Sequence, residues 1–261
     1  TLDVGGEKIG YLMYNRFNDD FHTELNNVFG EFQANNVEHL VLDVRYNPGG
    51  KVTTTALLGS MITGQFNGQT FSKLQYNSNF DDQIFPFVNQ TENGSSINSL
   101  NLDKVYIIAT GSSASASEAI INSLKEYINV VHIGTTTEGK TQASLTIYDS
   151  PDLGRADANP NHTYALQPLI ANSVNKNDGR VPSTGLVPLI ELGEDVTNLG
   201  VLGDENEPLL ARALSEIVGS DKYVPYTKPV KTIGDDNSFN KWSKGLFIDS
   251  PPKLDRIEFP E

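Results

Sequence analysis

The sequence predicts a mixed α/β fold: a sheet of short apolar strands joined by crossover helices. Three observations carry this. Residues 104–134 read as strand, helix, strand: KVYIIA at 104–109, an amphipathic stretch at 115–127, and NVVHIG at 129–134. HLVLDVR at 39–45 reads as a buried strand stopped by the turn NPGG at 47–50. The 261 residues are 38% hydrophobic and 20% charged, the balance of a chain that buries a core.

The elements follow in order. KIGYLMY at 8–14 predicts a strand. Phe21, Leu25, Val28, Phe29 and Phe32 recur at helical spacing and predict a helix over 19–36. TTTALLGSMIT at 53–63 suits a second helix. Residues 64–102 are polar but hold Phe66, Phe71, Tyr76, Phe80, Phe85 and Phe87, as expected of a lid or insertion with something to pack. After the strand–helix–strand run, 144–148, 163–170 and 186–192 suit short strands, and EPLLARALSEIV at 207–218 a clear amphipathic helix. Residues 1–218 therefore read as one domain. Residues 219–261, with Trp242, are expected to form an irregular extension.

Charge and composition narrow the function. A net charge of −14 repels phosphate backbones, so nucleic acid is not an expected partner. With no cysteine, thiol catalysis, disulfides and Cys-ligated zinc are excluded. No apolar run approaches the length of a membrane span. The start at TLDVGG suggests a mature or trimmed fragment. The sequons at Asn89, Asn93 and Asn161 matter only in a eukaryotic secretory host.

The stretch GSSASASE at 111–118 allows two readings. Ser115 and Glu118 form the S-x-x-E pattern of a capping box. A Ser at a strand-to-helix turn is also well placed as a nucleophile, with the amide of Ala116 beside it to hold an oxyanion. A nucleophilic Ser needs a base. No spacing among His22, His39, His132 and His162 singles out a triad. Lys140 is another candidate base, because burial can depress a lysine pKa; a solvated loop lysine is the plain alternative. The run Gly134-Thr-Thr-Thr-Glu-Gly139-Lys140-Thr141 also matches a P-loop, G-x-x-x-x-G-K-[ST]. Its continuation, QASLTIYDSPDLG, is β-like and broken by Pro151, and offers no helix to hold a phosphate.

Three segments together resemble the C-terminal processing peptidases, or tail-specific proteases, which are serine peptidases with a Ser–Lys dyad. They are LVLDVRYNPGG at 40–50, SSASASE at 112–118 and GTTTEGK at 134–140. A weaker fourth is GLVPLIE at 185–191, with Leu189 where the family places Asp. The resemblance covers roughly residues 8–195. It implies a ClpP/crotonase-like mixed sheet with β-rich additions. It implies that Ser115 is the nucleophile and Lys140, 25 positions later, the base. It implies an oxyanion hole from the amides of Gly50 and Ala116, with Ser113 and Ser117 in capping or packing roles. Glu126 falls where some members place an Asp. Thr141 stands where many members have Gly, and Ser144 where they have Gln; Gln142 is the Gln nearest the lysine.

The resulting expectation is a peptidase acting on flexible proteins or peptides near the C-terminus. It would need no cofactor or metal and would sit in a bacterial periplasm or envelope. The family's usual PDZ domain is not visible. The rival expectations are a non-catalytic peptide- or ligand-binding relative and, third, a nucleotide hydrolase.

Overall fold

The computed structural model describes residues 1–219 and, as backbone, Gly245–Phe247. Apart from these, the expected 219–261 extension lies outside the described residues. In chain order the structure opens with a hairpin, β1 (Leu2–Val4) and β2 (Glu7–Met13), the second matching the strand expected at 8–14. A 3-10 turn at Asp19–Phe21 leads into α1 (His22–Ala34). Then come β3 (His39–Asp43), β4 (Gly49–Lys51) and α2 (Val52–Thr63). The polar stretch 64–102 supplies β5 (Thr70–Gln75) and β6 (Gln83–Pro86). The strand–helix–strand run is β7 (Lys104–Ala109), α3 (Ala116–Leu124) and β8 (Asn129–Gly134). Short strands follow: β9 (Gln142–Ser144), β10 (Ile147–Tyr148), β11 (Ala165–Leu166), β12 (Leu169–Asn175) and β13 (Ile190–Glu191). The last elements are α4 (Pro208–Val218) and β14 (Gly245–Phe247).

Among the described residues the strands form two six-stranded sheets and one short antiparallel pair, β10 with β11. The first sheet has the order β1-β2-β3-β7-β8-β13, parallel throughout except for β1. Its central strands are buried on both faces, which explains their unbroken apolar runs. Leu40 and Leu42 of β3, with Val105 and Ile107 of β7, join the larger core with Leu25, Phe29 and Phe32 of α1. The intervening residues Val41, Tyr106 and Ile108 face the other way and meet Leu209, Leu210, Ala213 and Leu214 of α4. The second sheet, β4-β14-β9-β12-β5-β6, is mixed.

Half of the aromatic residues in 64–102 belong to the core. Phe71, Phe85 and Phe87 are buried, and Phe71 lies against α2 where a Cβ on Gly59 would come within 2.5 Å of its ring. Deleting 70–95 would therefore remove core rather than test a lid. Among the described residues no helix is long and apolar enough to cross a membrane.

A buried ion cluster locks α4 to the first sheet. Arg45, just past β3, is fully buried. Its Nη1 and Nη2 donate to the two oxygens of Glu207 at 2.8 and 2.9 Å, and its Nε to Asp43 at 3.0 Å. Glu207 also caps α4 by accepting from the amide of Leu210 at 2.8 Å. Burial opposes the guanidinium's charge, but Glu207 and Asp43 outweigh it and keep the group protonated. Replacing Arg45 by Met would leave two carboxylates buried without their cation. Arg45→Met is expected to cost about 3–5 kcal/mol of stability, seen as a lower urea midpoint at unchanged slope.

Candidate active site

The carboxyl ends of adjacent parallel strands are where open α/β sheets bind ligands. Here β3, β7 and β8 are neighbours, and each leads into one segment singled out by the sequence. β3 runs into the turn that holds Gly50, β7 into the turn that holds Ser115, and β8 into the loop that holds Lys140.

Asn47 organises the first turn. Its side chain donates to the carbonyl of Tyr14 at 2.7 Å and accepts from the amide of Gly49 at 2.9 Å. Its carbonyl accepts from the amide of Ala114 at 3.1 Å and from Ser117 Oγ at 2.8 Å. The glycine turn is thereby tied to the start of α3. Gly50 has φ +146°, and a Cβ there would lie 2.0 Å from the carbonyl oxygen of Phe17. No other residue fits that close approach. Ser113 adds a second tie, accepting from the amide of Thr110 at 2.9 Å and donating to the carbonyl of Val44 at 2.7 Å.

Ser115 immediately precedes α3 with φ 61° and ψ −109°. A non-glycine residue held there carries strain of order 1–3 kcal/mol, a feature concentrated at functional sites. The residue is buried, and among the described residues its Oγ makes no hydrogen bond. The expected capping box of Ser115 and Glu118 is present, without a hydrogen bond to the Ser115 hydroxyl. Glu118 accepts from the amide of Ser115 at 2.9 Å, but the amide of Glu118 donates to the Ser115 carbonyl at 3.0 Å, and the helix has no side-chain cap bond. Ala116 is the first residue of α3, so its amide has no acceptor within the helix.

Glu118 joins the serine turn to the lysine loop. It is fully buried. One oxygen accepts from Thr137 Oγ1 at 2.5 Å and from the amide of Gly139 at 2.7 Å. The other accepts from the amides of Ser115 and Lys140, each at 2.9 Å. The backbones of the candidate nucleophile and base therefore share one carboxylate oxygen. Burial raises the Glu118 pKa above the ordinary range, and the four donors pull against it. From the far side, the amide of Leu186 donates to Thr137 Oγ1 at 2.8 Å. Gly139 and Gly185, both at φ +87°, let the two backbones meet. Lys140 is half-buried. Its ammonium does not hydrogen-bond Ser115 Oγ, and such contacts commonly close only once substrate is bound.

Glu126, beyond the far end of α3, accepts from Asn175 at 2.9 Å and from Asn177 at 2.6 Å. Gln142 opens β9, opposite Asn172 of β12. The histidines are engaged elsewhere. His22 meets Thr54 Oγ1 at 2.7 Å, His39 meets Glu7 at 3.0 Å, and His162 meets Asp149 at 3.1 Å. His132 is buried on β8, and burial lowers its pKa. After Lys140 the chain enters strand β9 rather than a helix, so the P-loop match lacks the helix N-terminus that would bind phosphate. Among the described residues no three His, Cys, Asp or Glu converge on a metal-sized site.

Sequence reasoning missed the work of Asn47 and Glu118. Each had a signal: Asn47 opens NPGG, and Glu118 ends S-x-x-E. Neither pattern says that the residue bridges loops distant in sequence. Glu118→Gln would, in either amide orientation, turn an NH₂ towards at least one backbone N–H that now donates to the carboxylate. It is expected to cost about 1–3 kcal/mol in urea unfolding.

Residues 8–155 match the model of peptidase family S41. A solved Bacteroides fragilis NCTC 9343 protein, described as an S41 protease, is 30% identical with a TM-score of 0.72, over 82% of this chain and 55% of that one. The photosystem II D1 C-terminal processing protease shares the fold at 20% identity and a TM-score of 0.52, over 82% of this chain and 47% of its own. A Staphylococcus aureus (strain N315) protein described as a CtpA-like serine protease is 29% identical over 139 residues, 53% of this chain. The chain spans 26% of that protein's length.

Proposed function

The chain belongs to peptidase family S41, and on that premise we propose that it is a serine-type peptidase with Ser115 as its nucleophile and Lys140 as its general base. The observation that carries this is the Glu118 carboxylate, which holds the backbones of both residues on one oxygen. In the proposed reaction Lys140, as the neutral amine, takes the proton of Ser115 Oγ as the oxygen attacks a peptide carbonyl. The amides of Gly50 and Ala116 stabilise the oxyanion. The proton passes to the leaving amine, and water then releases the acyl group from Ser115. The strain and the unbonded Oγ at Ser115 suit this role. A nucleophile already hydrogen-bonded as a helix cap would have to break that bond before attacking.

The substrate on this reading is a flexible protein cut near its C-terminus and held as an added strand. An apolar pocket of about 270 Å³ lies beside α2, a few residues beyond Gly50. Thr53, Ala56 and Leu57 line one wall, Phe85 and Val88 another. It is suited to an apolar substrate side chain, so the 64–102 segment would contribute to selection as well as to the core. The same reading places the protein in a bacterial envelope, which cell fractionation checks.

The deciding assay is hydrolysis of an unfolded protein with an apolar C-terminus. Ser115→Ala is expected to abolish it, and Lys140→Ala to lower kcat by about 10²–10⁴-fold, both at unchanged circular dichroism. Retained cleavage in either variant removes that residue from the mechanism. Val88→Trp, which narrows the pocket, is expected to raise KM for apolar C-termini about tenfold with kcat little changed; an unchanged KM dismisses the pocket.

A further inference from the structure

In the second sheet β4 and β9 do not pair with each other. Gly245–Phe247 lies between them, parallel to both. Gly245, Leu246 and Phe247 stand opposite Gly49, Gly50 and Lys51. Leu246 and Phe247 stand opposite Ala143 and Ser144 on the other side. Without β14 the sheet would have a gap one strand wide, with an open edge on each side. One edge carries Gly50; the other begins two residues after Lys140. An extended backbone in that gap passes between the two segments that Asn47 and Glu118 tie to the Ser115 turn.

We infer that this gap is the strand site for substrate and that the chain's own Gly245–Phe247 is a tethered competitor for it, an autoinhibitory strand. The inference rests on the reading of Gly50, Ser115 and Lys140 as the reacting centre. The physics favours a displaceable inhibitor. Three residues make few ladder bonds, so the segment would bind weakly as a free peptide. Because it belongs to the same chain, it competes for the gap as an intramolecular occupant, which a free peptide of the same sequence does not. A longer substrate pairs over more residues and displaces it. Both edges of the gap offer backbone groups, so main-chain bonds hold the occupant whatever its sequence.

The test separates occupancy from catalysis. The probe is a fluorescein-labelled peptide of residues 241–250, KWSKGLFIDS. It is titrated into the full chain carrying Ser115→Ala, and into the same chain with Leu246→Pro added. Proline removes the Leu246 amide and cannot continue a central strand. About tenfold tighter binding is expected in the second protein, as when a site nine-tenths occupied is freed. Hydrogen exchange at the amides of Gly245, Phe247 and Ala143 should be slowed in the first protein and faster in the second. Equal affinity for the two proteins, absence of binding by both included, overturns the inference. So does exchange at Gly245–Phe247 as fast as in a free peptide. Hydrolysis is read separately, in chains with Ser115 intact, with and without Leu246→Pro. If the probe result holds but neither chain cleaves, the Ser115–Lys140 mechanism fails and the tethered occupant of the gap stands.

Discussion

The site depends on one buried carboxylate. Glu118 lies on the first turn of α3, fully enclosed, and takes four donors from three places: the serine turn, Thr137, and the glycine–lysine backbone. A carboxylate is the side chain that accepts from four donors and offers none. Burying it has a cost, visible in its raised pKa, and the donors offset that cost only if all four are in place. This all-or-none character gives the site a defined geometry. The serine turn and the lysine loop cannot drift apart without leaving a buried acceptor unpaired.

The parallel sheet makes such a clamp possible. Its adjacent strands β3, β7 and β8 end side by side, so three segments far apart in sequence emerge within reach of one another. Apolar faces on both sides of the sheet hold the strand ends in register. Arg45 fixes the opposite side of the same edge to α4, and its backbone carbonyl accepts from Thr110 Oγ1 at 2.5 Å, beside the serine turn. Against this rigid frame the unusual backbone at Ser115 can persist. Strain of this kind needs surroundings that over-determine the residue, and Ala114, Ser117 and Glu118 supply them on either side.

The second sheet has a different character. Where β3, β7 and β8 are joined by continuous ladders, β4 and β9 meet through a segment about a hundred residues after β9 and nearly two hundred after β4. A sheet completed by so short and distant a strand has one position that is easily exchanged. On the proposed reading, that position runs beside the Ser115–Lys140 centre, and assembly of the sheet and access to the site are linked.

How much of this the sequence disclosed differs by level. The strands β2, β3, β7 and β8 and the helices α1 to α4 were legible because apolar periodicity is a local property. Ser115 and Lys140 were legible as candidates because their motifs are short and their spacing constant. β5 and β6 were hidden in a polar stretch, since their burial comes from Phe71, Leu74 and Phe85 packing on α2 rather than from a repeating pattern. β14 was read as part of an irregular tail, since its pairing depends wholly on distant strands. The sequence by itself determined the kind of fold and the chemical types at its centre. Only the tertiary structure decided that Glu118 is a clamp as well as a cap, that Asn47 ties the glycine turn to α3, and that Glu126 accepts from Asn175 and Asn177. Those outcomes turn on which buried donors meet which acceptors, and that is set when strands far apart in the chain come to lie side by side.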